Sequence, residues 1–229
     1  MLLTRYGARE WLASAIVAGT AIIFLAWLGI WWAMVVPGVL WLGMASFFRD
    51  PPRPVPADLA EGALLSPADG TVTAVQQMDH HEAVGGPAIV IRIFLSIIDV
   101  HVNRSPADGH VLAVKHQPGA HYDARSDASS TDNESNLITM RLGPHWGEEK
   151  TIGVRQIAGK VARRIVCDLC PGDRLRRGQR FGMIKFGSGA ELILPRAEAV
   201  QVHVRVGDRV KAGLTPLATM PMPEHSVSK

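Results

Sequence analysis

The chain has 229 residues, 47% of them apolar, with 24 Lys and Arg against 21 Asp and Glu and a formal net charge of +3. This apolar content excludes a disordered chain. Two cysteines exclude a disulfide-built scaffold and fit a reducing cytoplasm.

Trp11 to Phe48 is a run of 38 residues without Asp, Glu, Lys or Arg, and it holds five of the six tryptophans. A bilayer crossing needs about 20 apolar residues, and a cleaved secretory signal has an apolar region of only about 7–15. The run therefore predicts a retained membrane anchor over residues 1–49. It reads as a transmembrane helical hairpin broken near Gly29 or near Pro37-Gly38, or as one tilted span plus an interfacial helix with Trp31 and Trp32 at the headgroup level. Arg5 and Arg9 before it and Arg49 and Arg53 after it favour both ends on the cytoplasmic face of the inner cell membrane. Residues 50–57, with prolines at 51, 52, 54 and 56, predict a stiff extended linker. What remains, residues 58–229, is enough for one core.

In that part, short apolar runs punctuated by Gly, Pro and Asp predict strands at Ala88 to Leu95, Leu137 to Leu142, Lys160 to Val166 and Val200 to Val206. Two echoes organise them. Ser66 to Val75 and Ser105 to Val114 share the pattern Ser-Pro-Ala-Asp-Gly-x-Val-x-Ala-Val, and Gly172 to Gly178 and Gly207 to Gly213 each resemble the hairpin of a lipoyl- or biotinyl-carrier fold. The expected fold is mainly β: a compact, pseudo-symmetric β-sandwich of the barrel-sandwich-hybrid kind, preceded by the helical hairpin. Residues 118–136 read as an exposed loop over the site. Residues 150–187 carry ten Lys or Arg against Asp168 and Asp173, either as a solvated strand surface or as a surface for anionic membrane lipid. Nucleic acid is not expected, because basic and aromatic residues do not interleave. Cys167-Asp168-Leu169-Cys170 stands without a second pair or neighbouring histidines, so no metal is assigned.

Gly187-Ser188 stands between two apolar runs, in Met183-Ile184-Lys185-Phe186-Gly187-Ser188-Gly189-Ala190-Glu191-Leu192-Ile193-Leu194-Pro195. Such a pair is a common turn, but it is also where a chain can cut itself. Attack of the Ser188 hydroxyl on the Gly187 carbonyl makes an ester. β-Elimination then frees the upstream fragment, and the dehydroalanine left behind hydrolyses to a pyruvoyl group, an electrophilic ketone.

Four ordered motifs surround this pair: Ser66-Pro67-Ala68-Asp69-Gly70, Phe94-Leu95-Ser96-Ile97-Ile98-Asp99-Val100-His101-Val102-Asn103-Arg104-Ser105-Pro106, Asn133-Glu134, and Arg180 to Ser188. From about residue 50 onward they resemble the phosphatidylserine decarboxylase family in its short, pyruvoyl-dependent form. The resemblance implies a proenzyme cut between Gly187 and Ser188 into a β chain, 1–187, and an α chain, 188–229, which stay together and may pair again as a dimer. It implies a covalent pyruvoyl cofactor from Ser188, with phosphatidylserine as substrate and phosphatidylethanolamine as product. His101 and Asp69 match motif positions of the family and are the candidates for activating Ser188, His101 also donating a proton during decarboxylation. Asp108 repeats the setting of Asp69. Where many relatives carry a second histidine this chain has Arg104, so either His101 and Asp69 act without it or Arg104 orients the substrate phosphate or carboxylate. Gly189, where many relatives carry Thr or Arg, is expected to loosen a scissile turn. An ether-linked serine phospholipid would keep the chemistry and change the lipid. A membrane-tethered, non-catalytic adaptor with a lipoyl-like β domain would explain the anchor and the echoes, but not Ser188 with Asp69 and His101.

Overall fold

The computed structural model describes residues 2–120, 122, 132–143, 146, 150–159, 164–185 and 188–222. The chain divides into two compact units, Met1–Pro52 and Arg53–Lys229.

The first unit is a pair of helices, α1 (Ala8–Trp27) and α2 (Val35–Phe47), packed against each other as a hairpin. The break falls at Gly29, whose φ of 73° suits only a residue without Cβ. Pro37 instead sits in the first turn of α2, where its missing N–H loses no helical hydrogen bond. The helix from Arg5 to Trp27 is long and apolar enough to cross a membrane, and the one from Trp31 to Phe47 is shorter. No residue of α1 is buried, and Ile16, Val17, Ile23 and Trp27 stand open on it. Its length and apolar surface are compatible with membrane association. The two ends of the hairpin return to one place: Thr4 N donates to Phe48 O and Asp50 N to Leu2 O, each at 2.8 Å.

Among the described residues, the second unit has fourteen strands. In chain order they are β1 (Ala63–Leu65), β2 (Gly70–His81), β3 (Gly86–Leu95), β4 (Val102–Arg104), β5 (Gly109–Gln117), β6 (Ser135–Leu142) and β7 (Thr151–Ala158). Then follow β8 (Arg164–Cys167), β9 (Arg174–Leu175), β10 (Arg180–Lys185), β11 (Ser188–Pro195), β12 (Gln201–Val202), β13 (Arg209–Val210) and β14 (Pro216–Thr219). They form one curled sheet in the order β13-β2-β3-β11-β7-β6-β5-β9 and two small ones, β4-β10-β8 and β1-β14-β12.

The order of the large sheet is a palindrome, and the echoes in the sequence are its two halves. Ser66 Oγ donates to Ala68 O at 2.6 Å and Ser105 Oγ to Ala107 O at 2.7 Å. The two segments also exchange bonds, Leu65 N to Pro106 O and Arg104 N to Pro67 O, both at 3.0 Å. Each aspartate holds the second hairpin of its own half: Asp69 Oδ1 accepts from Ala212 N at 2.8 Å and Asp108 Oδ1 from Arg177 N at 3.0 Å. The following glycines, Gly70 and Gly109, are required by close approach, since a Cβ would lie 2.1 Å from Phe94 O and 2.4 Å from Arg141 O respectively. The mainly β, pseudo-symmetric domain expected from the sequence is thus present, as one large sheet with two minor ones.

Two strand expectations change. Of Lys160 to Val166, residues 160–163 lie outside the described residues and Arg164 onward forms β8. Of Val200 to Val206, only Gln201–Val202 pairs. The alternation of valines there is strand-like, but Asp208 accepts from Arg205 N at 2.9 Å and turns the chain instead.

Period-two alternation sorts β11 between two cores. Ala190, Leu192 and Leu194 join Ile91, Ile93, Leu95 and Phe181 in the larger one, and Ile193 joins Ala88, Val90 and Leu137 in the smaller. Ser188 shares the face of Ala190 and Leu192.

Candidate active site

Ser188 is the first residue of β11 and lies in the middle of the large sheet, in register with Leu95 of β3 on one side and Ala158 of β7 on the other. Its side chain is fully buried, and among the described residues its Oγ has no hydrogen-bond partner. A buried hydroxyl left without a partner costs about 1–3 kcal/mol, which makes it the first place to look for chemistry. Gly187, across the expected scissile bond, lies with Phe186 outside the described residues.

The neighbours of Ser188 in register carry the other motifs. Ala158 O accepts from the Asn133 side chain at 2.7 Å, and Asn133 also closes a pair of bonds with Tyr122, accepting from its N at 2.7 Å and donating to its O at 2.9 Å. The described ends of the 118–136 segment are therefore pinned beside the strand partner of Ser188, while residues 121 and 123–131 of that expected loop lie outside the described residues.

From Leu95 the chain turns through Ser96–Asp99 to His101, which is fully buried and precedes β4. Its backbone O accepts from Ile184 N of β10 at 3.3 Å, so His101 is tied to the strand that ends two residues before Gly187. Its Nδ1 lies 2.9 Å from Asp99 O. A carbonyl can only accept, so Nδ1 carries the hydrogen and Nε2 is the nitrogen left to move a proton.

Asp69 is nearly buried, and both carboxylate oxygens are engaged: Arg53 Nη1 reaches Oδ1 at 2.5 Å, Arg53 Nη2 reaches Oδ2 at 2.8 Å, and Ala212 N adds a third donor. Sequence reading placed Arg53 with the anchor's flanking charges and so missed this forked pair; a lone Arg among prolines gave no sign of it. Asp108 instead holds the Arg177 amide. Asp99, nearest in sequence to His101, binds Arg209 Nη2 at 2.6 Å. Arg104 is buried, donates from Nη1 to Gly178 O at 3.2 Å, and packs so closely on Gly213 that a Cβ there would lie 2.9 Å from its Cδ.

Beneath the site runs a chain of buried amides that sequence reading also missed. Asn103 Nδ2 donates to Pro67 O at 3.3 Å, Gln156 Nε2 to Asn103 Oδ1 at 2.9 Å, and Asn136 Nδ2 to Gln156 Oε1 at 3.0 Å. It joins the strand after His101 to the strand that flanks Ser188. The signal was there in part: Gln156 is the polar member of the buried alternating set Ile152, Val154, Gln156 and Ala158. On the opposite face, Glu191 is held by Arg92 Nε at 2.9 Å and Arg155 Nη1 at 3.7 Å, and this pairing turns one of the predicted basic residues inward. Gly189 is no turn residue: it is paired with Phe94 and Ile157 inside β11, and a Cβ would find ordinary contacts at 3.7 Å or more. Burial pushes the Cys167 thiol pKa up, which makes it a poor nucleophile.

The family model for phosphatidylserine decarboxylase matches residues 42–218. The chain belongs to that family. It is 37% identical over 215 residues to the phosphatidylserine decarboxylase proenzyme of Rhodopirellula baltica, covering 93% of this chain and 86% of the relative. It is 39% identical to the proenzyme of Syntrophus aciditrophicus, covering 93% and 96%, and 41% identical to that of Carboxydothermus hydrogenoformans, covering 90% and 93%.

Proposed function

We propose that this chain is a membrane-anchored decarboxylase that converts phosphatidylserine to phosphatidylethanolamine with a pyruvoyl group it makes from its own Ser188. Family membership supports the decarboxylase and its lipid. The self-processing rests on one observation above all, the buried Ser188 hydroxyl without a hydrogen-bond partner among the described residues at the head of a strand held on both sides.

In this reading His101 Nε2 takes the proton from Ser188 Oγ as the hydroxyl attacks the Gly187 carbonyl. The amide becomes an ester, elimination breaks the Ser188 Cβ–O bond and releases residues 1–187 as a carboxylate, and water then displaces ammonia to leave the ketone. A pyruvoyl group at position 188 supplies an electron sink conjugated to the substrate nitrogen, which loss of carbon dioxide from an amino acid demands. His101 Nε2 then returns a proton to the substrate Cα. Asp69, whose oxygens are already taken by three donors, holds Arg53 and the Gly207–Gly213 hairpin in place and acts through position. Arg104 is a candidate for the substrate phosphate, with one nitrogen already committed to Gly178 O. The hairpin would anchor the chain in the inner membrane with the β domain on the cytoplasmic face, and residues 1–187 and 188–229 would remain associated.

Intact-mass measurement of the purified protein tests this reading. A 42-residue fragment beginning at position 188 as pyruvoyl is expected, and it disappears in Ser188→Ala together with carbon dioxide release. A single 229-residue chain, or a Ser188→Ala protein that still splits, overturns the self-processing and leaves a tethered adaptor.

A further inference from the structure

The turn between Leu95 and His101 presents apolar side chains to solvent in an unusually fixed way. Asp99 N donates to Ser96 O at 2.8 Å, Ser96 N donates to Asp99 Oδ2 at 2.8 Å, and Arg209 Nη2 holds Asp99 Oδ1 at 2.6 Å. The aspartate is buried by this clamp, and the two residues it leaves at the tip, Ile97 and Ile98, are 55% and 76% exposed. Leu95, just before the turn, is the register partner of Ser188. His101 is just after it. The tip therefore stands on the segment that joins the register partner of Ser188 to His101.

Arg209 ties the hairpin around β13 to the same turn, and that hairpin exposes Arg205, Val206 and Lys211. Isoleucines open to water beside cationic side chains match the boundary between anionic headgroups and acyl chains, where apolar burial and charge act together. A chain that carries a lipid-facing helix has that surface at hand, and a substrate with two acyl tails must present its serine without leaving it. Resting on the function proposed above, we infer that the Ser96–Asp99 turn inserts Ile97 and Ile98 into the bilayer at the headgroup boundary and so delivers the lipid headgroup to position 188. A turn held by its own aspartate inserts as a wedge, with little ordering left to do on contact.

Two measurements on the full chain, reconstituted in phosphatidylcholine vesicles containing phosphatidylserine, test this. In the first, Ile98→Cys and Glu82→Cys are each labelled with an environment-sensitive fluorophore in a Cys167→Ser/Cys170→Ser background. Glu82 is exposed beyond the far end of β3, about 30 Å along the strand. Lipids brominated on their acyl chains are expected to quench the label at 98 and not at 82. Equal quenching at both positions, or none at 98, overturns the inference, as does cross-linking between copies through position 98 without quenching, which would assign the tip to a subunit interface. This readout needs no turnover, so it stands even if the decarboxylase reading fails.

In the second, Ile97→Ser/Ile98→Ser is expected to process itself normally and to keep its kcat/KM on monomeric dihexanoyl phosphatidylserine. Its KM on vesicles should rise at least tenfold. Equal losses on both substrates would make the isoleucines structural, and unchanged vesicle kinetics would remove their role. If neither parent nor variant releases carbon dioxide, it is the proposed function that falls.

Discussion

Asp99 O, an acceptor with no hydrogen of its own, decides which nitrogen of His101 can act. With Nδ1 committed to that carbonyl at 2.9 Å, only Nε2 remains to exchange a proton. An asparagine at 101 can keep the donor that faces Asp99 O while losing the second nitrogen. His101→Asn is therefore expected to fold with a melting temperature close to the parent's and to process and turn over at least ~100-fold more slowly, the lower end of what a positioned proton carrier contributes. Mass spectrometry against time and carbon dioxide release read the two steps. Asp69 behaves differently. Its partner is a guanidinium that is itself almost buried, so Asp69→Asn leaves a positive charge facing a neutral amide. Breaking such a pair costs about 3–5 kcal/mol, and urea denaturation should show that loss even in a Ser188→Ala background, where no processing occurs. A variant of unchanged stability that failed only in processing would return Asp69 to the chemistry itself.

At the scale of elements, the β2–β3 hairpin carries a titrating group of its own. His81 Nδ1 accepts from Ala83 N at 3.1 Å, so the ring is bound as the neutral form. Burial lowers its pKa from about 6.5, outweighing the pull of Glu191 and Glu82. A folded form that binds the proton less readily than the unfolded chain is stable above the unfolded value and loses stability as pH falls below it, until the folded form also titrates. The parent protein should therefore lose more stability than His81→Gln between about pH 7 and pH 5, read as the difference in urea midpoints. Equal slopes would show that burial at this hairpin does not bias its protonation. The Cys167 thiol, pushed up by burial on β8, should react with a neutral maleimide more slowly than exposed Cys170.

For the β domain as a whole, the position of β11 decides what self-cleavage would do to the fold. Residues 188–229 contribute β11 between β3 and β7, β13 against β2, and β14 against β1. Cutting one peptide bond ahead of β11 removes none of these ladders. The two fragments are expected to elute together from size exclusion in mild detergent and to part only in strong denaturant; separation without denaturant would mean that the sheet opens once it is cut.

The sequence alone was enough for whatever is written locally or twice. The uncharged run up to Phe48 dictates the helical hairpin because lipid-compatible length and composition are properties of a contiguous segment. The two Ser-Pro-Ala-Asp-Gly stretches dictate the pseudo-symmetry because the same residues make the same turns and the same aspartate-to-amide bonds. Motif order is what singled out Ser188, His101 and Asp69 as candidates. Only the tertiary structure decided their partners: Arg53 on Asp69, Asp99 O on His101, Ala158 and Leu95 beside Ser188, and the amide chain through Gln156. Most of those contacts join residues well separated in the chain, as Gln156 and Asn103 are at 53 positions, and they depend on how strands are registered, a quantity no local pattern carries. The same reason explains Gly189, which reads as a turn beside its serine and proves to be a strand residue once both neighbours are in place.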